Sequence, residues 1–230
     1  MKRLLASILC IILSPAVLSA QTTTAAPQRA DVPAAKIDGK TGKPQQRFMQ
    51  MHQEFLDRAR QGEIDILFVG DSITQGWSGN GKEVWRDRYA NRKAANFGIG
   101  GDRTQHVLWR MQNGELEGIK PKVAVVMIGT NNSKNDPAAD IASGVEKIVK
   151  EIQARTGAKV LLLAVFPRGE TPDSAADQRA TIKQVNERIA KLDDGKTVRF
   201  LDLGDKFTQP ALIGSPKSSC QYAVCRANGA

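Results

Sequence analysis

The sequence predicts an α/β fold built on a parallel sheet covered on both faces, and three observations predict it. Short apolar runs recur along the chain, amphipathic helical patterns fill most of the gaps, and residues able to do chemistry cluster where the runs end. Near-continuous apolar strands belong to sheets buried on both sides, and the intervening helices are the crossovers that parallel strands require. Functional residues are then expected on loops at the C-terminal edge of the strands.

The elements follow in order. Lys2 and Arg3 precede an apolar stretch from Leu4 to Leu18, and the small residues Ser19 and Ala20 follow it. That is the layout of a secretory signal peptide over residues 1–20, so a periplasmic or secreted location is expected. The stretch contains Pro15 and falls short of the roughly 20 residues that cross a bilayer, so no membrane insertion is expected. Cys10 follows Leu9 rather than a small residue, which argues against a lipid anchor. Residues 21–44 are rich in Ala, Thr, Pro and Gly without an apolar period and read as a flexible linker. Gly39-Lys40-Thr41 looks like the end of a phosphate loop, but Ala34 stands where the earlier glycine would be required.

From Phe48, the apolar residues Met51, Phe55, Leu56 and Ala59 keep helical spacing, with His52 on the same face as a packed side chain. Strands are predicted at residues 65–70, 94–99, 122–128, 158–166 and 197–203. Asp136-Pro137 opens a helix whose buried stripe is Ile141, Val145, Ile148, Val149 and Ile152, and Gly157 stops it. Ile182, Val185, Ile189 and Leu192 repeat the stripe after residue 173.

The 230 residues, less the leader, fit one domain. Formal charge is +9, or +7 without Lys2 and Arg3, but basic residues alternate with acids and form no stripe, which argues against nucleic-acid binding. Beyond Cys10, Cys220 and Cys225 could pair in an oxidising compartment. Two thiols with no histidine nearby make an incomplete zinc set.

Three strand-end loops stand out. The first, in "DILFVGDSITQGW" at residues 65–77, places Ser72 at a strand exit with a helix behind it. Ser72 there is either a nucleophile or ordinary Gly-Asp-Ser turn chemistry, with Asp or Ser capping the helix. The second, "FGIGGDR", frees the backbone at Gly98, Gly100 and Gly101 and offers Asp102 as a cap for the next helix. A dinucleotide fingerprint fails there, because its third glycine would fall at Arg103. The third, "IGTNNS", puts the Asn131 amide on the same rim. A serine, a free backbone N–H and a side-chain amide on one edge match the needs of an oxyanion hole.

In order and spacing, "FVGDSITQGW", "NFGIGGDRTQHVLWRMQNGELEGIKPK", "VVMIGTNN" and "FPRGE" resemble the SGNH or GDSL-type serine hydrolases, in the branch of platelet-activating-factor acetylhydrolase catalytic subunits and their bacterial relatives. The resemblance runs from about Phe48 to Phe207. It implies a three-layer α/β/α sandwich with a flavodoxin-like parallel sheet of five strands. It also implies Ser72 as nucleophile, with oxyanion donors from the Ser72 N–H, the Gly101 N–H and the Asn131 side chain. No cofactor and no metal are implied.

One part of the family pattern is missing. Its members close the site with an Asp-x-x-His motif after the last strand, followed by a C-terminal helix, and the sequence shows neither. The general-base histidine and its aspartate are not found: the chain's two histidines, His52 and His106, both lie far upstream. His106 sits in the family-like "TQHVLWR", which suggests a structural position. Asp202 and Asp205 are poor bases for a serine hydroxyl without an imidazole between. Residues 45–207 are read as the hydrolase domain. Residues 208–230, without acid or histidine, are read as an aberrant tail, with a changed reading frame after Phe207 as its expected origin and the final helix absent.

The expected function is an exported ester hydrolase that removes small acyl groups, such as acetate, from carbohydrate or other polar esters through an acyl-Ser72 intermediate, with weak activity in this chain. The expected partner is a small acylated substrate. Beside this stand a catalytically dead remnant that binds without turnover, a lysophospholipase-like or acetylhydrolase-like lipid esterase, and an unrelated doubly wound ligand-binding protein.

Overall fold

The computed structural model describes residues 28–169 and 175–208. The predicted leader, the tail beyond Thr208, and Cys220 and Cys225 within it, lie outside the described residues. Strands β1 (Ile66–Gly70), β2 (Ala94–Gly98), β3 (Val123–Met127), β4 (Lys159–Leu163) and β5 (Val198–Leu201) form one all-parallel sheet in the order β2-β1-β3-β4-β5. This is the flavodoxin-like order, with the switch point between β1 and β3. Each strand lies within its predicted range. β4 stops before the predicted end because Asn186 takes both backbone groups of Val165, accepting from its N–H at 2.9 Å and donating to its carbonyl at 3.0 Å.

Between the strands run α1 (Gln46–Arg60), α2 (Ser72–Gln75), α3 (Lys82–Arg88), α4 (Thr104–Arg110), α5 (Ala138–Thr156), α6 (Ala176–Ile189) and α7 (Gly204–Thr208). In α5 the stripe Ile141, Val145, Ile148, Val149 and Ile152 is buried as its spacing predicts, and Gly157 ends the helix at φ 72, a conformation glycine adopts without a Cβ penalty. On the first face of the sheet Leu67, Val69, Phe97, Ala124, Val126, Val160 and Leu162 share one core with residues of α1, α4, α5 and α6. Phe55 of α1 stacks on Phe97 at 4.7 Å. On the second face Phe68 packs edge-on against Trp85 of α3 and against Tyr89. Its neighbours in register, Val125 and Leu161, are only half-buried. Among the described residues, therefore, the second face is most closely covered near β1.

The expected linker also needs correcting. Within it, residues 28–44 form a strap docked on the domain. Ala30 is fully buried, and its carbonyl accepts from the Thr104 hydroxyl at 2.6 Å. Asp31 accepts from Lys147 of α5 at 2.9 Å, and the Ala34 N–H donates to Gln105 O at 3.1 Å. A small hairpin closes the strap, with Ile37 bridged to Pro44 and the Gln45 N–H on Lys36 O at 2.7 Å. These bonds join backbone groups to distant residues. They leave no apolar period, so composition alone resembles a linker.

Candidate active site

The turn after β1 is made by glycine and aspartate. A Cβ on Gly70 would lie 2.2 Å from Thr74 Oγ1 and 2.4 Å from Met127 O, so only glycine permits this strand-to-helix turn. Asp71 caps α2 by accepting from the Ile73 N–H at 3.0 Å. Ser72 is the first residue of α2 and half-buried. Because α2 spans only Ser72–Gln75, its macrodipole is small.

The second loop packs directly on α2. A Cβ on Gly98 would meet Gln75 N at 2.4 Å, so this glycine serves the protein's own backbone and not a ligand. Gly100 donates its N–H to Gln75 Oε1 at 2.8 Å, and a Cβ on it would stand 3.8 Å from Ser72 Cβ. Gly101 has φ +73. Neither the Ser72 N–H nor the Gly101 N–H has an acceptor among the described residues.

Asn131 completes the group. Its Nδ2 donates to Asp102 O at 2.8 Å and to Asp71 Oδ2 at 3.5 Å. One amide thus touches the residue after Gly101 and the residue before Ser72. The three residues singled out from the sequence, Ser72, Gly101 and Asn131, are brought to one rim. The second bond is at the limit of hydrogen-bond length and is weak, so that N–H can turn to a stronger acceptor.

Beneath the rim lies a charged network that the sequence reading missed. Arg110, fully buried, donates to Asp102 Oδ2 at 3.1 Å, to Phe97 O at 3.2 Å, and to Glu115. Asp102 therefore does not cap α4, as the sequence suggested; it anchors an arginine. Burial pushes Asp71 up to about 7, Asp102 to about 6 and Glu115 to about 7, with the Arg110 charge opposing the last two. The available signal was Arg110 itself, a charged residue in the otherwise apolar "VLWRM" run. Asn132, also missed, accepts from the Thr104 N–H at 3.0 Å and donates to Gln105 and Asp136. It ties the third loop to the start of α4.

Neither histidine is hydrogen-bonded to Ser72 among the described residues. His106 Nδ1 accepts from the Arg103 N–H at 3.1 Å, and burial, helped by Lys36, Arg103 and Arg110, pushes the ring down to about 3. His52 is buried against Trp109 at 5.2 Å. Asp202 accepts from the Gly204 N–H at 2.7 Å, a local turn bond. Among the described residues no cluster of three or more His, Cys, Asp or Glu could hold a metal ion.

Residues 68–217 match the GDSL-like Lipase/Acylhydrolase family, a span that continues past Phe207, where the resemblance was expected to stop. Platelet-activating factor acetylhydrolase IB subunit alpha2 of Rattus norvegicus is 44% identical over 163 residues, covering 70% of this chain and 69% of the relative. The structure of the acetyl xylan esterase AlAXEase aligns with a TM-score of 0.52 at 25% identity, over 63% of this chain and 79% of its own. The lipase/acylhydrolase from Enterococcus faecalis shares the fold with a TM-score of 0.52 at 24% identity, over 65% and 81% of the two chains. The family match spans most of the sheet and all three rim loops: the chain belongs to the GDSL-like lipase/acylhydrolase family, the SGNH hydrolases, and is by family an esterase acting on ester bonds.

Proposed function

We propose that Ser72 is the nucleophile of this esterase and that its own N–H, the Gly101 N–H and the Asn131 amide form the oxyanion hole. The reading rests on the Asn131 amide, whose bonds to Asp102 O and Asp71 Oδ2 tie it to the neighbours of Gly101 and Ser72. Ser72 Oγ adds to the ester carbonyl carbon, the carbonyl electron pair moves onto oxygen, and the three donors meet that charge. Collapse expels the alcohol and leaves acyl-Ser72, and water then releases the acid and regenerates the serine.

The substrate we propose is a short acyl ester, acetyl above all, on a carbohydrate or another polar scaffold outside the cytoplasm. Three observations support it. The names of the rat relative and of AlAXEase both specify acetyl esters. A groove of about 540 Å³ beside Gln75 is lined by Gln46, Arg47, Gln50, Met51 and Glu54, mostly amide and charged groups suited to a polar scaffold. The leader pattern at residues 1–20 supports export.

The proton on Ser72 Oγ needs an acceptor. With His106 bonded to Arg103 and His52 buried, neither histidine is that acceptor, and Asp71 is fully buried with its oxygens on Ile73 and Asn131. Solvent hydroxide is then the base for this chain, and turnover is slow and rises with pH. One specific observation favours a second reading, binding without turnover: among the described residues no imidazole is hydrogen-bonded to Ser72.

The test is p-nitrophenyl acetate hydrolysis by the purified chain from pH 7 to 10, with and without Ser72→Ala, together with fluorophosphonate labelling mapped by mass spectrometry. A slow rate that rises with pH and disappears in Ser72→Ala supports the proposal. A rate untouched by Ser72→Ala, or label on another residue, overturns the nucleophile assignment; no serine-dependent rate at any pH supports the binding remnant.

A further inference from the structure

We infer that Lys36 is a positioning residue of the acyl-transfer site: its ammonium fixes and polarises the Gly100–Gly101 peptide, the unit that presents the Gly101 N–H. This inference rests on the oxyanion role proposed for Gly101. Lys36 Nζ donates to Gly100 O at 2.6 Å, a charge-assisted bond. Gly100 O and Gly101 N–H are opposite ends of one planar trans peptide and point in opposite directions. A cation on the carbonyl end therefore stays out of the space where an oxyanion would sit, yet draws electron density from the N–H and makes it a stronger donor. A Cβ on Gly101 would lie 2.9 Å from Lys36 Nζ, so the ammonium sits close over this peptide, and the φ of +73 is what favours glycine there.

The approach of Lys36 is built, not incidental. On one side the Ala34 N–H is bonded to Gln105 O, and on the other Lys36 O accepts from the Gln45 N–H at the start of α1. The side chain is only 18% exposed, and Asp102 Oδ1, a buried oxygen with no hydrogen-bond partner, lies 4.0 Å from Nζ. The charged groups acting on Lys36 are Asp102, Arg103, Arg110 and Arg47. Burial is the largest influence and lowers its pKa, Asp102 opposes, and the three arginines lower it further. A strap that served only to tie down the N-terminal segment would not need a cation at this carbonyl.

The experiment follows the Gly101 amide in ¹⁵N-labelled full-length chain by NMR, for the unaltered chain, Lys36→Met and Lys36→Arg. Between pH 7 and 11 the Gly101 amide of the unaltered chain should shift with an inflection below 10.5, the ordinary lysine value. Lys36→Met should abolish that inflection. Lys36→Arg should keep the charged-state shift without the inflection. Acetate, a carboxylate able to enter the oxyanion hole, should perturb the same amide, with a dissociation constant about tenfold weaker in Lys36→Met and near normal in Lys36→Arg. A Gly101 amide that ignores Lys36 titration, or acetate binding equal in all three proteins, overturns the inference. Loss of signal dispersion in Lys36→Met would not decide the matter alone, since Lys36→Arg and the titration of the unaltered chain are read independently. These readouts need no turnover, so a hydrolysis rate unchanged by Ser72→Ala defeats the nucleophile assignment without touching them.

Discussion

On the second face of the sheet, Phe68 in β1 is 6% exposed beneath Trp85 and Tyr89, whereas Leu201 in β5, on the same face, is 41% exposed. The contrast extends to the rim. After β1, β2 and β3 the loops are cross-bonded through Gln75, Asn131, Asn132 and Asp102, and the strap and Lys36 cover them. Near β4 and β5, a groove of about 490 Å³ runs between Ile182, Asn186, Phe200 and Asp202. The first half holds the proposed nucleophile and donors, on loops tied together by these bonds. The second half is where the resemblance would place an acid and an imidazole, whereas His52 and His106 both lie far upstream of it. In the proposed mechanism, oxyanion binding and proton removal are separable parts of one fold, belonging to different halves of the sheet.

The strongest way to break the comparison is to complete the second half. Replacing the chain after Phe207 by a relative's C-terminal segment carrying Asp-x-x-His should raise serine-dependent p-nitrophenyl acetate turnover greatly. Loss of the base alone costs on the order of 10⁶ in the best-measured serine protease, so a gain of several powers of ten is expected. Ser72→Ala in the grafted chain should remove it. If the unaltered chain already matches the grafted one, an unrecognised base operates, and His106→Ala is the next variant to measure.

Breaking the first half should cost less. Asn131→Ala in the grafted protein should lower kcat by about 10² to 10³, the usual loss for one preorganised donor. Stability to thermal unfolding should fall by about 1 to 3 kcal/mol, because Asp102 O and Asp71 Oδ2 lose the amide, while Asp71 Oδ1 and Asp102 Oδ2 keep the Ile73 N–H and Arg110. Gly101→Val should be as harmful, since a β-branched residue is strained at a φ of +73 and its Cβ would push Lys36 Nζ aside. An unchanged kcat in Asn131→Ala removes this residue from the site.

The same division explains what the sequence made legible. The strands and the stripes of α5 and α6 repeat at fixed periods, so burial pressure writes them openly into residues such as Val145 and Ile182. Ser72, Gly101 and Asn131 were legible because each sits at a strand end in a short motif. Lys36, Asp102, Arg110 and Glu115 were not, because their roles depend on partners 5 to 64 residues away and on burial, neither of which has a local pattern. The strap was misread for the same reason.

The two halves should also respond to pH with opposite sign. Asp71, Asp102 and Glu115 have folded pKa values above their ordinary ones, so between roughly pH 4 and 7 the folded chain holds protons that the unfolded chain has released. Their favourable contribution is complete at low pH and is lost as pH rises through 6 to 7. Asp193 and Asp194, before β5, are lowered, Asp193 first by the Phe200 N–H and Asp194 first by the Thr197 hydroxyl. Their contribution is present above the ordinary carboxylate range and is lost as pH falls. Glu115→Gln should therefore remove up to about 1.4 kcal/mol per pH unit from the slope of stability across that window. Urea unfolding at several pH values measures the slope; an identical slope in the variant shows that Glu115 ionises normally.

The smallest effect sharpens the comparison where the strap meets the rim. Thr104 Oγ1 donates to Ala30 O at 2.6 Å, and a Cβ on Gly144 would lie 2.5 Å from that same carbonyl, so the junction has no room for a replacing water. Thr104→Val keeps the shape and removes the donor, leaving a buried carbonyl without its partner. A loss of about 1 to 2 kcal/mol is expected. The loss should be local in the native state. Hydrogen exchange at the Ala34 N–H, which bonds Gln105 O at 3.1 Å, should quicken, while the amides pairing β4 with β5 keep their rates. Equal acceleration in both places would mean that the strap and the β4–β5 half unfold as one unit, and that the division between the halves is structural in appearance only.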